Sequence, residues 1–176
     1  MKSIFDVQEF LAKLPFSLNS NLLGTHMQAE DSLGGLLGKS SRLMRNQLHR
    51  NLRLVESQIT VEQWILLAEL WSGDGLTPLE LSKRLLKHKA SITSLLKGAE
   101  KSGYVYRQGD SRDHRVNKVF LTDKGRQLEA ALIPIARQTI MHATDGINPD
   151  HLAIATSVLK QVIRNLAANQ TQPTPE

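Results

Sequence analysis

The chain has 176 residues and no cysteine. That absence removes disulfide frameworks, thiolate metal sites, cysteine nucleophiles and thiol redox sensing, and it fits a reducing cytoplasm. Long apolar runs are also missing: no stretch approaches the roughly 20 apolar residues that a membrane-spanning helix needs, so a soluble protein is expected. The leading "MKSIFDVQEFLAKLPF" is partly apolar, but Asp6, Glu9 and Lys13 interrupt it, and no secretory signal is expected there. The six histidines are scattered without paired spacing, so a metal site is not expected. "GLLGKSS" has the ending of a phosphate-binding loop, yet the position five residues before Gly38 is Leu33 rather than glycine and no strand precedes it. Enzymatic function lacks its parts as well. His114 beside Asp113 has no nucleophile to serve, and no carboxylate pair falls in an expected cleft. No cofactor is expected.

What the chain does have is a localised excess of positive charge. The net charge is +5, and residues 77–121 hold ten Lys or Arg against four Asp or Glu, leaving 12 and 13 for the remainder. A basic segment on an otherwise balanced protein is the footprint of a polyanionic partner. A hydrophobic fraction of 40% is ordinary for one globular domain, or for a small domain with a second helical layer.

Hydrophobic periodicity orders the chain. Residues 2–14 carry Ile4, Phe5, Val7, Phe10, Leu11 and Leu14 at helical spacing and stop at Pro15. Residues 16–31 read as a connector. Leu33, Leu36, Leu37, Leu43, Met44, Leu48 and Val55 then trace a long helix over about 32–57. "ITVEQWILLAELW" opens with Thr60 and Gln63 at capping-box spacing, with Ile59 placed to staple onto Trp64. "LTPLELSKRLLK" repeats the device with Thr77 and Glu80, Pro78 at the first helical position and Leu76 facing Leu81. "HKASITSLLKGAEKSG" puts Ile92, Leu95, Leu96 and Ala99 on one face and ends at Gly103. The period then falls to two over 104–108 and 118–121, predicting a hairpin that must lean on the helices before it. Thr122 starts a helix with Leu128, Ala131, Leu132, Ile135 and Ile140 as its stripe; Pro134 should bend it and Gly146 end it. Asn148 and Pro149 open the last helix, with Leu152, Val158, Leu159, Val162, Ile163 and Leu166 as its stripe, and residues 169–176 are a frayed tail.

Helix, short turn, helix and a basic-tipped hairpin is the order of a winged helix-turn-helix, in which the last of the three helices enters the major groove of DNA and the hairpin tip reaches flanking backbone or minor groove. Arg112, Arg115 and Lys118 surround Asp110 and Asp113 in "QGDSRDHRVNKVFLTDKG". On this reading Arg115 is the groove probe, because arginine suits that narrow, negative groove, and Asp113 holds it extended. The expected fold is mainly α with a small β-hairpin wing, a winged helix-turn-helix plus a helical dimerisation region. The divisions are residues 1–31 as an extension with a short amphipathic helix, 58–121 as the winged module, and 32–57 with 122–168 as the dimerisation region.

Over about residues 33–166 the sequence resembles the MarR family of transcriptional regulators, particularly its SlyA-like branch. "LLKGAEKSGYVYRQGDSRDHRVNKVFLTDKGR" and "ITVEQWILLAEL" carry the resemblance. "DHR" stands where an Asp-x-Arg wing motif is expected, and His114 where a second arginine is common. The resemblance implies Asp113 and Arg115 as the wing pair, and Ser91, Thr93, Ser94 and Lys97 as groove-facing residues. Thr77, Lys89, Arg112 and Lys118 complete the expected DNA-contacting set. It also implies a homodimer on a pseudo-palindromic operator in double-stranded DNA, acting by repression or counter-repression. Independently, the stripes of the 32–57 and 149–168 helices are too apolar to stay exposed. Many members of that family release DNA on binding a small aromatic or amphipathic acid, and the resemblance makes Met44, His49, Arg53, Trp64 and Trp71 the candidates here. The competing reading is a winged-helix module for protein contacts, which would tolerate an acidic or neutral recognition helix and wing.

Overall fold

The computed structural model describes residues 32–56, 58–109 and 117–169. Eight elements follow in order: α1 (Leu33–Leu52), α2 (Val61–Trp71), α3 (Pro78–Arg84), α4 (Lys89–Lys101), β1 (Val105–Gly109), β2 (Asn117–Leu121), α5 (Asp123–Ala143) and α6 (Pro149–Asn169). The amphipathic segment expected at 2–14, the wing tip at 110–116 and the tail from 170 lie outside the described residues.

The helix starts are built as the sequence spells them. The Gln63 amide N–H donates to Thr60 Oγ1 at 3.1 Å while Thr60 N–H donates to Gln63 Oε1 at 3.0 Å. Thr77 and Glu80 repeat the exchange at 3.2 and 2.7 Å, and these bonds from Thr77, its backbone N–H foremost, hold the Glu80 carboxyl below the ordinary carboxylate range. Ser32 caps α1 by accepting from Gly35 N–H at 3.0 Å, and Thr122 caps α5 by accepting from Gly125 N–H at 3.0 Å.

The core is the concave side of the three central helices closed by the hairpin. Ile59, Leu66, Leu67 and Leu70 from α2 and its entry meet Leu81 of α3, Ile92, Leu96 and Ala99 of α4, and Val105, Val119 and Leu121 of the strands. Trp64, expected to staple with Ile59, is half-buried against the same cluster. β1 and β2 pair antiparallel from Val105↔Leu121 to Gly109↔Asn117. Leu76 extends the ladder on the far side of β2: Val119 N–H donates to Leu76 O and Gly75 N–H to Val119 O, both at 2.8 Å. The hairpin therefore leans on the segment entering α3 as well as on the core.

Gly103 closes α4. It sits at φ +72°, its N–H donates to Glu100 O at 2.9 Å, and the next N–H, of Tyr104, donates to Ala99 O at 3.0 Å. Nothing lies within 4 Å of where a Cβ would stand, so Gly103→Ala isolates the backbone term. It is expected to cost about 1 kcal/mol, read as a lower midpoint in urea with an unchanged slope.

Three helix readings need correction. α1 ends at Leu52, five residues before the expected 57: Leu54 and Val55 N–H turn back onto Asn51 and Leu52 carbonyls, because Leu52 is drawn fully into the core and the chain must then reach Ile59. Val55 is consequently off the stripe and exposed. On α5 the buried face is Leu132, Ala136 and Thr139 with Leu128 and Ile135 at its edges; Ala131 and Ile140 are exposed. Thr139 falls outside the expected stripe because its hydroxyl reads as polar, yet it is buried with that hydroxyl donating to Ile135 O at 2.9 Å and accepting from Asn51 Nδ2 at 2.9 Å. α5 also caps at Thr144, before Gly146, and runs through Pro134, which lies on an exposed face.

α6 stands apart. Among the described residues it makes no substantial packing with any other element, and Leu152, Ile154, Val158, Leu159, Ile163 and Leu166 are between 37% and 62% exposed. Leu33 and Leu36 on the first half of α1, and Leu43 and Met44 just past its middle, are exposed in the same way.

Candidate nucleic-acid interface

α3, a four-residue turn and α4 form the helix-turn-helix, with the hairpin following directly. At 100° per residue, the buried Ile92, Leu96 and Ala99 fix the inner face of α4, and the opposite face carries Ala90, Ser94, Lys97 and Lys101. All four are exposed. Lys89 and Ser91, on the flanks, are exposed too. Thr93 is half-buried and donates its hydroxyl proton to Lys89 O at 3.0 Å, so what remains for a partner is its methyl and the oxygen's two lone pairs. Thr77 is half-buried at the α3 cap with its hydroxyl donating to Glu80 Oε2 at 2.8 Å. Lys118 stands on β2 opposite Gln108. Arg112, Asp113 and Arg115 belong to the segment joining β1 to β2, outside the described residues.

Charge is sorted across this surface. Arg107 on β1 is committed to Glu100 on α4, with Nε donating to Oε1 at 2.7 Å; that bond keeps the Glu100 carboxyl below its ordinary range. Lys87, in the turn, is paired with Glu62 at 2.7 Å, and Arg84 approaches Glu69 at 3.8 Å. Lys89, Lys97 and Lys101 make no ion pair among the described residues. The cations tied to carboxylates thus brace the module; of those that form no ion pair among the described residues, Lys97 and Lys101 share the outward face of α4, Lys89 lies at its flank and Lys83 is exposed on α3. Lys101 is absent from the set expected from sequence, although its position four residues after Lys97 on one face was the available signal.

A groove of about 520 Å³ runs between the start of α2 and α4, lined by Thr60, Glu62, Gln63, Lys87, Ser91, Ser94, Leu95 and Gly98. A second cavity of about 380 Å³ opens between α1 and α5, lined by Ser40, Leu43, Met44, Gln47, Arg50, Thr139, His142 and Ala143. Of the five residues expected around a small acid, only Met44 lines it. His49 and Arg53 are exposed on α1 and at its cap. Trp64 packs against the core with its Nε1 buried and unpartnered, and Trp71 donates its Nε1 proton to Gly125 O at 3.0 Å, pinning the end of α2 to the start of α5.

Among the described residues no helix is long and apolar enough to cross a membrane. Comparison with known proteins gives one consistent answer. A family profile described as MarR family matches residues 57–116. The chain is 39% identical over 79 residues to the HTH-type transcriptional regulator TtmR of Methylorubrum extorquens (strain PA1), covering 45% of this chain but only 40% of that one. It is 32% identical over 110 residues to the organic hydroperoxide resistance transcriptional regulator of Bacillus subtilis (strain 168), covering 62% of this chain and 74% of that one. In fold it matches the crystal structure of a mutant MarR from E. coli complexed with operator DNA, with a TM-score of 0.69 at 24% identity over 74% of this chain and 92% of that one. By its profile match, its relatives and its winged-helix architecture, this chain belongs to the MarR family.

Proposed function

We propose that this chain is a sequence-specific DNA-binding transcriptional regulator that acts as a homodimer on a pseudo-palindromic operator. The observation that carries the reading is a set of exposed cations that form no ion pair among the described residues, Lys97 and Lys101 on the outward face of the second helix of a helix-turn-helix and Lys89 at its flank. Arg112 and Arg115 add to it from the wing segment. The relatives named above are transcriptional regulators, and the E. coli protein with this fold was crystallised with operator DNA. The dimer is supported by the apolar faces that the protomer leaves open on α6 and the first half of α1, which are too extensive for a soluble monomer. A two-fold pair would present its recognition helices about 34 Å apart, one turn of B-DNA.

A small aromatic or amphipathic acid as effector is part of the same proposal. It must prefer the dimer spacing that misfits DNA, since equal affinity for both states shifts nothing. The α1–α5 cavity supports it with Arg50 and His142 beside Leu43 and Met44. Peroxide sensing through a thiol has no cysteine to work with in this sequence.

A mobility-shift titration against genomic fragments and random duplex at 50 and 200 mM salt tests the reading. Affinity is expected to fall roughly a thousandfold or more between the two, and Lys97→Ala is expected to weaken binding and lower the salt slope by about 2 per dimer. An absent or salt-insensitive shift would favour the protein-contact module instead.

A further inference from the structure

The two residues that open α2 after Val61 hold α4 at both ends. Gln63, buried, donates from Nε2 to Ser102 Oγ at 3.2 Å, at the C-cap of α4. Glu62 holds the other end. Its Oε2 accepts from Lys87 Nζ at 2.7 Å, two residues before α4 begins, and its Oε1 accepts from Arg45 Nη1 on α1. The bond from Lys87 and, after an opposing cost of burial, that from Arg45 keep the Glu62 carboxyl ionised below its ordinary range.

The two ends are not held alike. At the C-terminal end Gln63 is buried and the Gly103 cap is fully hydrogen-bonded. At the N-terminal end the side chain of the cap residue His88 makes no capping hydrogen bond to α4, and Leu86, not glycine, sits at φ +50°. Inside the module, Ser82 secures this turn, with Oγ donating to Lys87 O at 2.6 Å and its carbonyl accepting from Lys87 N–H at 3.0 Å. What links the turn to α1 is the Lys87–Glu62–Arg45 cluster.

We propose that Glu62 is a positioning residue for DNA binding: it ties α1, a dimerisation helix, to the N-terminal end of α4, and so fixes the angle of the recognition helix and the half-site spacing the dimer accepts. This rests on the DNA-binding reading above. Its sign is opposite to what charge alone dictates. Glu62→Gln adds one positive charge to each protomer beside the basic face, and a polyanion should then bind more tightly. If Glu62 positions α4, the same change weakens binding and blurs the choice of spacing.

The test uses the full chain and a duplex that the wild type selects from genomic fragments, together with that duplex lengthened or shortened by one base pair at its centre, which moves the half-sites by about 3.4 Å. E62Q is expected to bind the selected duplex about fivefold more weakly, with reduced discrimination against the altered duplexes and an unchanged salt slope. The double variant Arg45→Gln, Glu62→Gln has the wild-type net charge and is expected to stay as weak as E62Q. Thermal melts confirm that each variant is folded, as the exposure of Arg45 and the partial exposure of Glu62 lead one to expect. Tighter or unchanged binding by E62Q, or a double variant restored to wild-type affinity and discrimination, overturns the positioning role and leaves Glu62 a local neutraliser of Lys87. A wild type that binds no duplex at low salt overturns both this and the reading it rests on.

Discussion

Gly125→Ala is expected to destabilise the protein by about 3 kcal/mol or more, the upper range for overpacking a site that cannot relax. A Cβ at this position would stand 2.1 Å from the Tyr104 carbonyl oxygen, 3.1 Å from its carbon and 3.3 Å from Leu121 Cδ2. The neighbour that would have to give is backbone. It is also held in place, because Tyr104 O accepts from Thr122 N–H at 3.0 Å and from Thr122 Oγ1 at 3.1 Å, the bonds that lead the chain out of the wing to the residue that caps α5. Gly125 O in turn accepts the Trp71 indole proton, so retreat of α5 breaks a third bond. For a chain of this size the change corresponds to a melting temperature lower by about 6–12 °C. Gly98→Ala is the contrast. A Cβ there meets only Gln63 Nε2 at an ordinary 3.7 Å, and removing a glycine from a helix interior is expected to be neutral or to stabilise by up to about 1 kcal/mol. Equal melting temperatures for the two variants would contradict the close approach at Gly125.

The same residue illustrates how far the sequence could be read. Gly125 was visible in "LTDKG" as part of a recognisable segment, but its reason, a carbonyl pressed against its Cα, depends on a contact with Tyr104 that no local pattern encodes. Local signals were legible where the chemistry is local: both capping boxes, the Gly103 cap and the change of period at the hairpin need only residues three or four apart. Errors arose where tertiary packing overrides periodicity. Leu52 and Thr139 are buried because α1 and α5 cross there, joined by Asn51, whereas Ile140 falls on the expected stripe of α5 and is exposed. For the site, exposed cations on α4 could be anticipated from spacing. Which cations are already spent on Glu62, Glu69 and Glu100 could not, since most of those pairs join residues on different elements, far beyond the reach of a helical or strand period.

Replacing both Arg112 and Arg115 by glutamine is expected to have the largest effect on DNA affinity. Each chain would lose two cations, four in the proposed dimer, and if each neutralises a phosphate the slope of log K against log salt should fall by about 3.6, with affinity near physiological salt reduced roughly a hundredfold or more. The measurement is a salt titration of binding to a selected duplex, with melting curves to show that the fold is intact. Folding should survive, because glutamine keeps a long polar side chain at both positions. Asp113 supplies the sharper arm of the experiment. As a mere counter-charge its replacement by asparagine would raise the net charge and tighten binding; as the group that holds Arg115 extended, its loss should weaken binding several-fold while leaving the salt slope nearly unchanged, because an arginine that is free to wander still carries its charge but pays more entropy to be placed. Tighter binding by Asp113→Asn would reduce the wing to a basic loop, and the double arginine variant would then measure attraction without aim.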